Sequence, residues 1–342
     1  MEFLQIPYAQ SRYHVNRGEL DLALRLDDDL LGLSRQRNDS SGLILSHLSS
    51  GGNLMRAGKF ARSRSHLEEV LALYDPISHR LLVYQTGDDP HADSQAFLGN
   101  VLFCLGFPDQ ALARSSSAIA EARRLAHPPS LVVCLNMSAR LLSLVGDTVA
   151  LDERANELVA VAAEQGFLVR RAQGTIFRGW VKVKNGGVAE GISLLHSGSA
   201  AYRATGAEVW VPYYTGLLAR AFEIAGQIEE GLTLLEDALQ IVERTGERWF
   251  AAELNRQTGQ LLLQQGHTEA AEELYRKALS IAQEQEAKLW ELRAAVSLAR
   301  LRRDQGRPAE ARDLLAPIYG WFTEGFDTAD LKQAKTLLNE LT

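Results

Sequence analysis

The stretch QGHTEAAEELYRKAL, residues 265–279, places one glycine, two small residues and one large residue at fixed distances. Gly266 is followed by Ala271 after five residues, by Tyr275 after nine and by Ala278 after twelve. A glycine in the left-handed conformation is typical of a helix C-terminus. Small residues at helical spacing let two helix axes approach closely, because a bulky side chain there would overpack the crossing. The stretch therefore predicts a turn and a helix that packs tightly against the helix before it.

This turn recurs along the chain with a period of 40 residues. A glycine follows an apolar helical run at eight places, and all intervals but one are 40 residues, the exception being 48. A fixed period of about 20–50 residues indicates stacked copies of one supersecondary unit. The turn glycines are Gly18, Gly58, Gly106, Gly146, Gly186, Gly226, Gly266 and Gly306.

Small residues also recur seven positions before each turn glycine. They are Ser11, Gly51, Gly99, Ala139, Gly179, Ala219, Gly259 and Ala299. Five positions after the glycine the residue is small in every copy except the fourth, which has Leu151. The offsets describe a helix–turn–helix hairpin and resemble the tetratricopeptide repeat, whose usual unit is about 34 residues. We therefore predict an all-α, right-handed superhelical solenoid of about eight hairpins over residues 1–318, with a capping segment at 319–342.

Two segments depart from the repeat. Residues 75–95 contain two prolines, a glycine and four aspartates, and account for the longer interval. We expect a polar loop there; the alternative is a metal site, whose spacing matches no established ligand motif. Its ligands would be His79, Asp89, His91 and Asp93.

The second segment is the C-terminus, where a capping helix is predicted after an N-cap at Asp327 or Thr328. Five apolar residues are spaced along one face of this helix. They are Leu331, Ala334, Leu337, Leu338 and Leu341, and Trp321, Phe322 and Phe326 are expected to pack beneath them. Solenoids need such a terminal cover to stay soluble.

Composition excludes several classes of function. The net charge is −7 and basic residues are dispersed, which disfavours direct nucleic-acid binding. The chain shows neither an apolar run of membrane-spanning length nor a secretory leader, so we expect a cytoplasmic protein without membrane contact. Cys104 and Cys134 lie in apolar surroundings and are interpreted as buried thiols.

No motif in the chain indicates catalysis or a bound cofactor. The stretch GGNLMRAGKF, residues 51–60, resembles a phosphate-binding loop but has Asn53 in place of the required glycine and Phe60 in place of a serine or threonine. We therefore expect a protein that is not an enzyme and that holds neither cofactor nor metal.

The first helix of each hairpin lines the concave surface of tetratricopeptide solenoids, which is the usual binding face. We predict that polar and aromatic residues there bind a protein or peptide partner. Arginines suggest an acidic or carboxylate-bearing ligand, since guanidinium pairs with carboxylate through two parallel hydrogen bonds. The alternative is that these side chains are solvated or paired with Glu223 and Glu253. The predicted site consists of Asn100, Asn136, Arg140, Trp180, Tyr213, Arg220, Glu253, Arg256, Gln260, Arg293 and Arg300.

A second row, of aromatic residues, lies near the start of the first helices. It comprises Trp210, Trp249, Phe250 and Trp290, and we interpret it as packing between hairpins.

Several stretches go beyond generic repeats, among them AYRATGAEVWVPYYTGLLARAFEIAGQ (201–227), TGERWFAAELNRQTGQLLL (245–263) and ARDLLAPIYGWFTEGFDTADLKQAKTLLNEL (311–341). They resemble the C-terminal repeat region of large bacterial predicted ATPases, the signal-transduction ATPases with numerous domains. Those proteins often carry a class III adenylate or guanylate cyclase domain or a winged-helix domain. The resemblance implies a sensor arm attached to, or partnering, an upstream ATPase module. This sequence contains neither ATPase nor cyclase, so we expect a C-terminal fragment or a stand-alone relative.

The function expected from these observations is a non-catalytic, protein- or peptide-binding repeat scaffold that regulates an ATPase. One alternative is a solenoid that senses a small molecule through Trp180, Tyr213, Arg220 and Arg256, and another is an oligomerisation arm. Charge reversal at Arg220 together with Arg256 is expected to abolish partner capture without unfolding the protein.

Overall fold

The computed structural model describes residues 2–341, with side chains from residue 6 onward, and within that range the chain forms eighteen helices and no strand. In chain order they are α1 (Glu2–Asn16), α2 (Leu20–Arg37), α3 (Ser40–Arg56), α4 (Phe60–Leu73), α5 (Leu82–Thr86), α6 (Pro90–Cys104), α7 (Pro108–Leu125), α8 (Pro128–Val145), α9 (Thr148–Glu164), α10 (Leu168–Lys184), α11 (Val188–Ala204), α12 (Val211–Ile224), α13 (Ile228–Thr245), α14 (Ala251–Gln264), α15 (Thr268–Glu284), α16 (Lys288–Asp304), α17 (Pro308–Gly320) and α18 (Ala329–Glu340).

Sixteen of these helices pair into eight hairpins, which confirms the predicted all-helical solenoid. The pairs are α1–α2, α3–α4, α6–α7, α8–α9, α10–α11, α12–α13, α14–α15 and α16–α17. All eight turn glycines have positive φ, between 74° and 94°. A second set of left-handed residues joins successive hairpins, and it comprises Asn38, Ala126, Gly166, Gly206, Gly246 and Glu286.

The hairpins cross where the small residues were predicted to lie. A Cβ placed on Gly179 would lie 2.8 Å from the backbone nitrogen of Leu195 and 2.9 Å from the carbonyl oxygen of Gly191. Across the same crossing, a Cβ on Gly191 would lie 2.7 Å from the carbonyl oxygen of Gly179. The two backbones are therefore in direct contact, and α10 and α11 could not pack this closely with larger residues.

The insertion is shorter than the predicted loop of residues 75–95. It contains the short helix α5, and α6 begins already at Pro90. Asp89 caps α6, because its carboxylate accepts a hydrogen bond of 2.8 Å from the amide of Ala92. His79 is hydrogen-bonded to the amide of Asp75 and to the hydroxyl of Ser40. No group of three or more potential metal ligands occurs among the residues the structure describes.

The capping helix α18 follows Thr328, one of the two predicted N-cap residues. Leu331, Ala334, Leu337 and Leu341 of its predicted apolar face are buried. Of the three aromatic residues expected beneath it, only Phe322 is buried, whereas Trp321 is 39% and Phe326 48% exposed. Trp321 instead reaches α6–α7, where its ring centroid lies 5.6 Å from that of Phe107.

Helices α6 and α8 are largely buried. By length and composition alone, α8 (Pro128–Val145) could cross a membrane, which the sequence analysis did not anticipate, but 72% of it is buried inside the fold. Such burial is typical of a core helix in a soluble protein. Cys104 on α6 and Cys134 on α8 are buried and unpaired, as predicted, and burial raises the pKa of both thiols.

The solenoid coils tightly enough for early hairpins to contact hairpins five positions later. The amide of Glu208 donates a hydrogen bond of 2.8 Å to the carbonyl of Asn16, and the amide of Trp249 one of 3.0 Å to the carbonyl of Arg56. Further along, the Phe103 and Trp290 rings meet with centroids 6.0 Å apart. These contacts close the coil on itself, so the first helices of the hairpins surround its interior.

Candidate functional site

The interior of the coil contains two cavities. The N-terminal cavity, of ≈ 520 Å³, lies among α1, α3, α6, α8 and α10. The C-terminal cavity, of ≈ 340 Å³, lies among α8, α10, α12, α14, α16 and α18. Helix α8 extends from one to the other, with Met137 lining the first cavity and Ser143 the second. Likewise, Trp210, which directly precedes α12, lines the N-terminal cavity, and Leu217 within α12 lines the C-terminal cavity.

A cluster of buried side chains separates the cavities, and we call it the partition: Arg140, Trp210, Tyr213, Trp249 and Phe250. The Arg140 guanidinium carbon lies 3.6 Å from the Trp210 ring centroid. The Tyr213 ring contacts those of Trp249 and Phe250, with centroids 5.4 and 5.2 Å apart. Arg140 and Tyr213 are wholly buried and line neither cavity. Arg140 therefore has a structural role, because its guanidinium packs on the Trp210 ring in a cation–π contact.

The predicted site residues fall into four groups in the structure. Asn136 lines the N-terminal cavity, and Arg140 and Tyr213 belong to the partition. Asn100 is buried and donates a hydrogen bond of 3.1 Å to the carbonyl of Met137. The remaining seven line the C-terminal cavity: Trp180, Arg220, Glu253, Arg256, Gln260, Arg293 and Arg300. The aromatic row is buried, in agreement with its interpretation as packing.

Ion pairs occupy several of the arginines around the C-terminal cavity. Arg256 Nε donates a hydrogen bond of 2.9 Å to Glu253 Oε1. Arg293 makes a bidentate contact of 2.8 and 2.9 Å with Asp330 on the capping helix. Burial opposes the ionised form of Glu253, but Arg256 and Arg293 outweigh it and hold the pKa of Glu253 below its ordinary value. Arg256 is thus paired with Glu253, as the alternative interpretation proposed, whereas Arg293 pairs with Asp330 of the cap.

Two cations at the same cavity have no acidic partner among the described side chains. Arg300 is exposed at the cavity wall, and Lys184 is exposed with its Nζ 5.7 Å from the Trp180 ring centroid. Burial and the positive charge of Arg256 lower the pKa of Arg220, whose own partner is Glu223 at 3.3 Å. The cavity lining therefore carries an excess of positive charge.

Most of the N-terminal cavity was missed by the sequence analysis. Its polar lining includes Arg12, which pairs with Asp88 at 2.5 Å, and Arg170, which donates a hydrogen bond of 2.9 Å to Gln173. The signal for Arg12 was present, because it stands six residues before Gly18, the offset that identified the other inner residues. Asp93, another lining residue, belongs to the segment that was interpreted as a loop.

Comparison with known proteins identifies the class of repeat. Residues 212–284 and 292–317 match family models described as tetratricopeptide repeat. Tetratricopeptide repeats are thus recognised in the C-terminal region of the chain. A scaffold of this type is generally non-catalytic and typical of protein or peptide binding.

Two solved structures resemble nearly the whole fold. The Rap protein complexed with competence and sporulation factor has a TM-score of 0.62 at 15% identity, over 99% of this chain and 96% of the other. The Rap conjugation gene regulator of plasmid pLS20, in complex with the Phr* peptide, has a TM-score of 0.60 at 10% identity, with the same coverages of 99% and 96%. At these identities the likeness shows the fold alone.

A longer bacterial protein resembles the chain in sequence. An uncharacterized protein of Rhizobium meliloti (strain 1021) is 27% identical over 248 residues, which are 71% of this chain and 24% of the relative. The chain therefore matches about a quarter of that relative's length.

Proposed function

We propose that the chain binds an acidic peptide or an acidic protein segment in its C-terminal cavity. The observation that carries this proposal is the excess positive charge there, with Arg300 and Lys184 exposed and without carboxylate partners among the described residues. Trp180 and Phe250 add apolar wall beside these cations. A ligand carboxylate would supply the missing charge, and hydrogen bonds to charged groups contribute about 1.5–3 kcal/mol each.

The bound segment would connect elements that are distant in sequence. The cavity wall includes α8, α12, α14 and α16, together with Asp330 and Gln333 of the capping helix. Asp330 is held by Arg293, so a carboxylate that entered beside Arg293 would compete with the cap for the same guanidinium. Ligand binding at this position would therefore bias the contact between the cap and the last hairpins.

In this proposal the solenoid is the non-catalytic sensor arm of a larger, cytoplasmic signalling ATPase. Support comes from the resemblance in sequence and from the bacterial relative, of which the matched region is 24%. Unpaired cysteines suit a reducing compartment. ATP hydrolysis would belong to another module. The upstream coding sequence tests the proposed connection to an ATPase. An ATPase module in the same reading frame would support it, whereas an in-frame stop codon with unrelated genes beyond it would contradict it.

A defined peptide library tests the ligand chemistry. Pentapeptides enriched on the wild-type protein by affinity selection, and read by mass spectrometry, should be rich in aspartate and glutamate. The double variant Arg300→Gln, Lys184→Gln should bind the enriched peptides at least about tenfold more weakly, which corresponds to about 1.4 kcal/mol. Arg178→Gln is the matched control, because Arg178 is exposed on α10 but lines neither cavity. Enrichment of basic or neutral peptides, or equal binding by the double variant, refutes the proposal.

The structure changes which arginines should be mutated. Arg220 with Arg256 was the pair expected from sequence, but Arg256 is buried against Glu253. Reversing the charge of Arg256 would place two negative charges together in a site with little solvent, so the variant would lose stability along with binding. Arg300 and Lys184 are exposed and free of such pairs, and their replacement tests binding alone.

A small-molecule sensor is the second candidate, favoured by the size of the cavities. Volumes of ≈ 340 and ≈ 520 Å³ fall in the range of small-ligand sites, about 300–1,000 Å³. A metabolite present at 100 times its Kd would stabilise the fold by about 2.7 kcal/mol. A thermal-shift screen of carboxylate metabolites therefore distinguishes the candidates, because a scaffold specific for peptides would show no shift.

A further inference from the structure

Four arginines line the N-terminal cavity. Arg12 lies on α1, Arg17 directly follows that helix, Arg56 is the last residue of α3 and Arg170 lies on α10. Arg12 pairs with Asp88 at 2.5 Å. The other three form no ion pair with any side chain that the structure describes. The cavity therefore has cations in its wall whose charge no neighbouring carboxylate takes up directly.

The carboxylates of the wall do not offset this charge. Besides Asp88, only Asp93 lines the cavity, so four guanidiniums against two carboxylates leave two positive charges even with both aspartates ionised. Burial and then the charge of Asp88 raise the pKa of Asp93 well above its ordinary value, although Arg12 and Arg170 oppose the rise. A protonated Asp93 adds no negative charge, which increases the excess.

Two further carboxylates lie near the cavity without lining it. Asp27 accepts a hydrogen bond of 2.8 Å from the side-chain amide of Asn53, and burial raises its pKa to about 6. Glu247 accepts its hydrogen bonds from neutral tryptophan N–H groups. Burial raises the pKa of Glu247 to about 7, and Arg56 and Arg140 oppose the rise, so its one charge is divided between two cations.

The guanidinium of Arg56 is fixed at the cavity wall. Its carbon Cζ lies 4.8 Å from the ring centroid of Trp210 and 5.2 Å from that of Phe97. Its Nη1 donates a hydrogen bond of 3.1 Å to the amide oxygen of Asn53. Gly52 leaves the space that the guanidinium occupies, because a Cβ at Gly52 would lie 3.0 Å from this Nη1. Arg56 is thus held in place by neutral groups before any ligand arrives.

Arg170 approaches the same part of the cavity from α10. Tyr202, which also lines the cavity, interacts electrostatically with both Arg56 and Arg170. Arg170 donates a hydrogen bond of 2.9 Å to the amide oxygen of Gln173. A guanidinium has five N–H donors, so both arginines retain donors for a ligand. Planar guanidinium groups match the oxygens of carboxylate and phosphate, to which they donate paired hydrogen bonds.

We propose that the N-terminal cavity binds an organic phosphate monoester, whose phosphate oxygens accept hydrogen bonds from Arg56 and Arg170. A phosphate monoester concentrates a charge of about −1.5 to −2 on one group at pH 7, which matches the uncompensated charge of the wall better than one carboxylate does. Aromatic side chains of Tyr8, Phe97 and Trp210 line the same cavity and suit an unsaturated ring in the ligand. The cavity volume of ≈ 520 Å³ falls in the range of small-ligand sites, about 300–1,000 Å³.

This site is separate from the one in the proposed function. The two cavities share no lining residue, and Arg140 and Tyr213 lie between them on α8 and α12. The ligand groups also differ, since the C-terminal cavity is proposed to take peptide carboxylates. Replacing Arg170 should therefore leave capture of acidic peptides unchanged. Each site can fail its own test without affecting the other.

Calorimetric titration at pH 7.5 tests the proposal with phenyl phosphate, the 5′-monophosphates of adenosine, guanosine, cytidine and uridine, and inorganic phosphate. We expect at least one organic phosphate to bind, and its phosphate-free counterpart, phenol or the nucleoside, to bind at least about tenfold more weakly. Benzoate, which carries a carboxylate on the same ring, should bind more weakly than phenyl phosphate if the aryl compound is the one that binds. Inorganic phosphate should also bind more weakly than the best organic phosphate, because it makes no contact with the aromatic wall.

Variants assign the binding to the two arginines. Arg170→Gln removes the charge at a half-buried position without breaking an ion pair, and it should weaken binding of the best organic phosphate at least about tenfold. Arg56→Lys keeps the charge but loses the planar fork of donors, and it should also weaken binding, which keeps the test decisive should either variant fold poorly by circular dichroism. Arg171→Gln makes the same change at the next, exposed position of α10, which lines neither cavity, and should bind as wild type.

Three results overturn the proposal. The first is absence of binding by every organic phosphate, and the second is equal binding of the best organic phosphate by Arg170→Gln and the wild type. The third is binding of inorganic phosphate or of the phosphate-free counterpart as tightly as the best organic phosphate.

Discussion

The close crossing of α10 and α11 gives the sharpest quantitative prediction. Gly179→Ala would place a methyl group 2.8 Å from the Leu195 nitrogen, 2.9 Å from the Gly191 oxygen and 3.0 Å from the Leu194 Cβ. Two of these neighbours are backbone atoms, so the helices must separate by several tenths of an ångström. Overpacking of this kind costs about 1–3 kcal/mol. The gain in helix propensity from glycine to alanine is at most about 1 kcal/mol. We expect net destabilisation of about 1–2 kcal/mol.

Gly32→Ala is the matched control for this prediction. Gly32 lies inside α2, is exposed, and a Cβ there would meet no atom within 4 Å. Only the propensity gain remains, so this variant should stabilise by about 0.5–1 kcal/mol. Urea unfolding followed by far-UV circular dichroism measures both changes, and hydrogen exchange on α10 and α11 localises the first. The reasoning is refuted if both variants shift the unfolding midpoint in the same direction.

A second substitution at the same crossing tests whether the two glycines act as one contact. Gly191→Ala alone should cost about as much as Gly179→Ala, since its Cβ would lie 2.7 Å from the Gly179 oxygen. Once the helices have separated for one methyl group, the second requires less movement. The double variant should therefore lose less free energy of unfolding than the sum of the single variants, and strict additivity would contradict a shared contact.

Two further predictions concern buried charges. Arg256→Met should destabilise by about 3–5 kcal/mol because it leaves Glu253 buried without its nearest partner, whereas Arg300→Met should change the urea midpoint little. Asp27 of α2 is buried, and its carboxylate accepts hydrogen bonds from Ser11, Ser49 and Asn53. Burial raises the pKa of Asp27 to about 6, so the folded state binds its proton more tightly than the unfolded chain does. This stabilisation of at most about 3 kcal/mol is present below about pH 4 and is lost as the pH rises through 6. Asp27→Asn should flatten that part of the stability profile measured by urea unfolding.

The closed coil gives the inner residues different roles although they share one repeat position. Arg140, Arg220 and Arg300 each stand six residues before a turn glycine. Arg140 is wholly buried against Trp210, Arg220 pairs with Glu223, and Arg300 is exposed at a cavity wall. The position in the repeat alone therefore does not predict whether an inner arginine can bind a ligand.

The sequence by itself determined the hairpins, because their causes are local. A turn glycine at positive φ, small residues at the crossing and an apolar face are all read within one 40-residue copy, as at Gly179 and Gly266. The capping helix was predictable for the same reason. The linking turns at Ala126 and Glu286 were not, since neither residue type favours the left-handed conformation that the surrounding helices impose on it.

Only the tertiary structure decided how tightly the coil winds. The pitch is the sum of small rotations between hairpins, and no single copy specifies it. That sum brings Asn16 to Glu208 and Arg56 to Trp249, contacts between residues nearly 200 positions apart. The resulting closure turns an open concave face into two cavities with a buried arginine between them. The composition of the site was therefore visible in the sequence, whereas its division into separate chambers arises from the packing of distant hairpins.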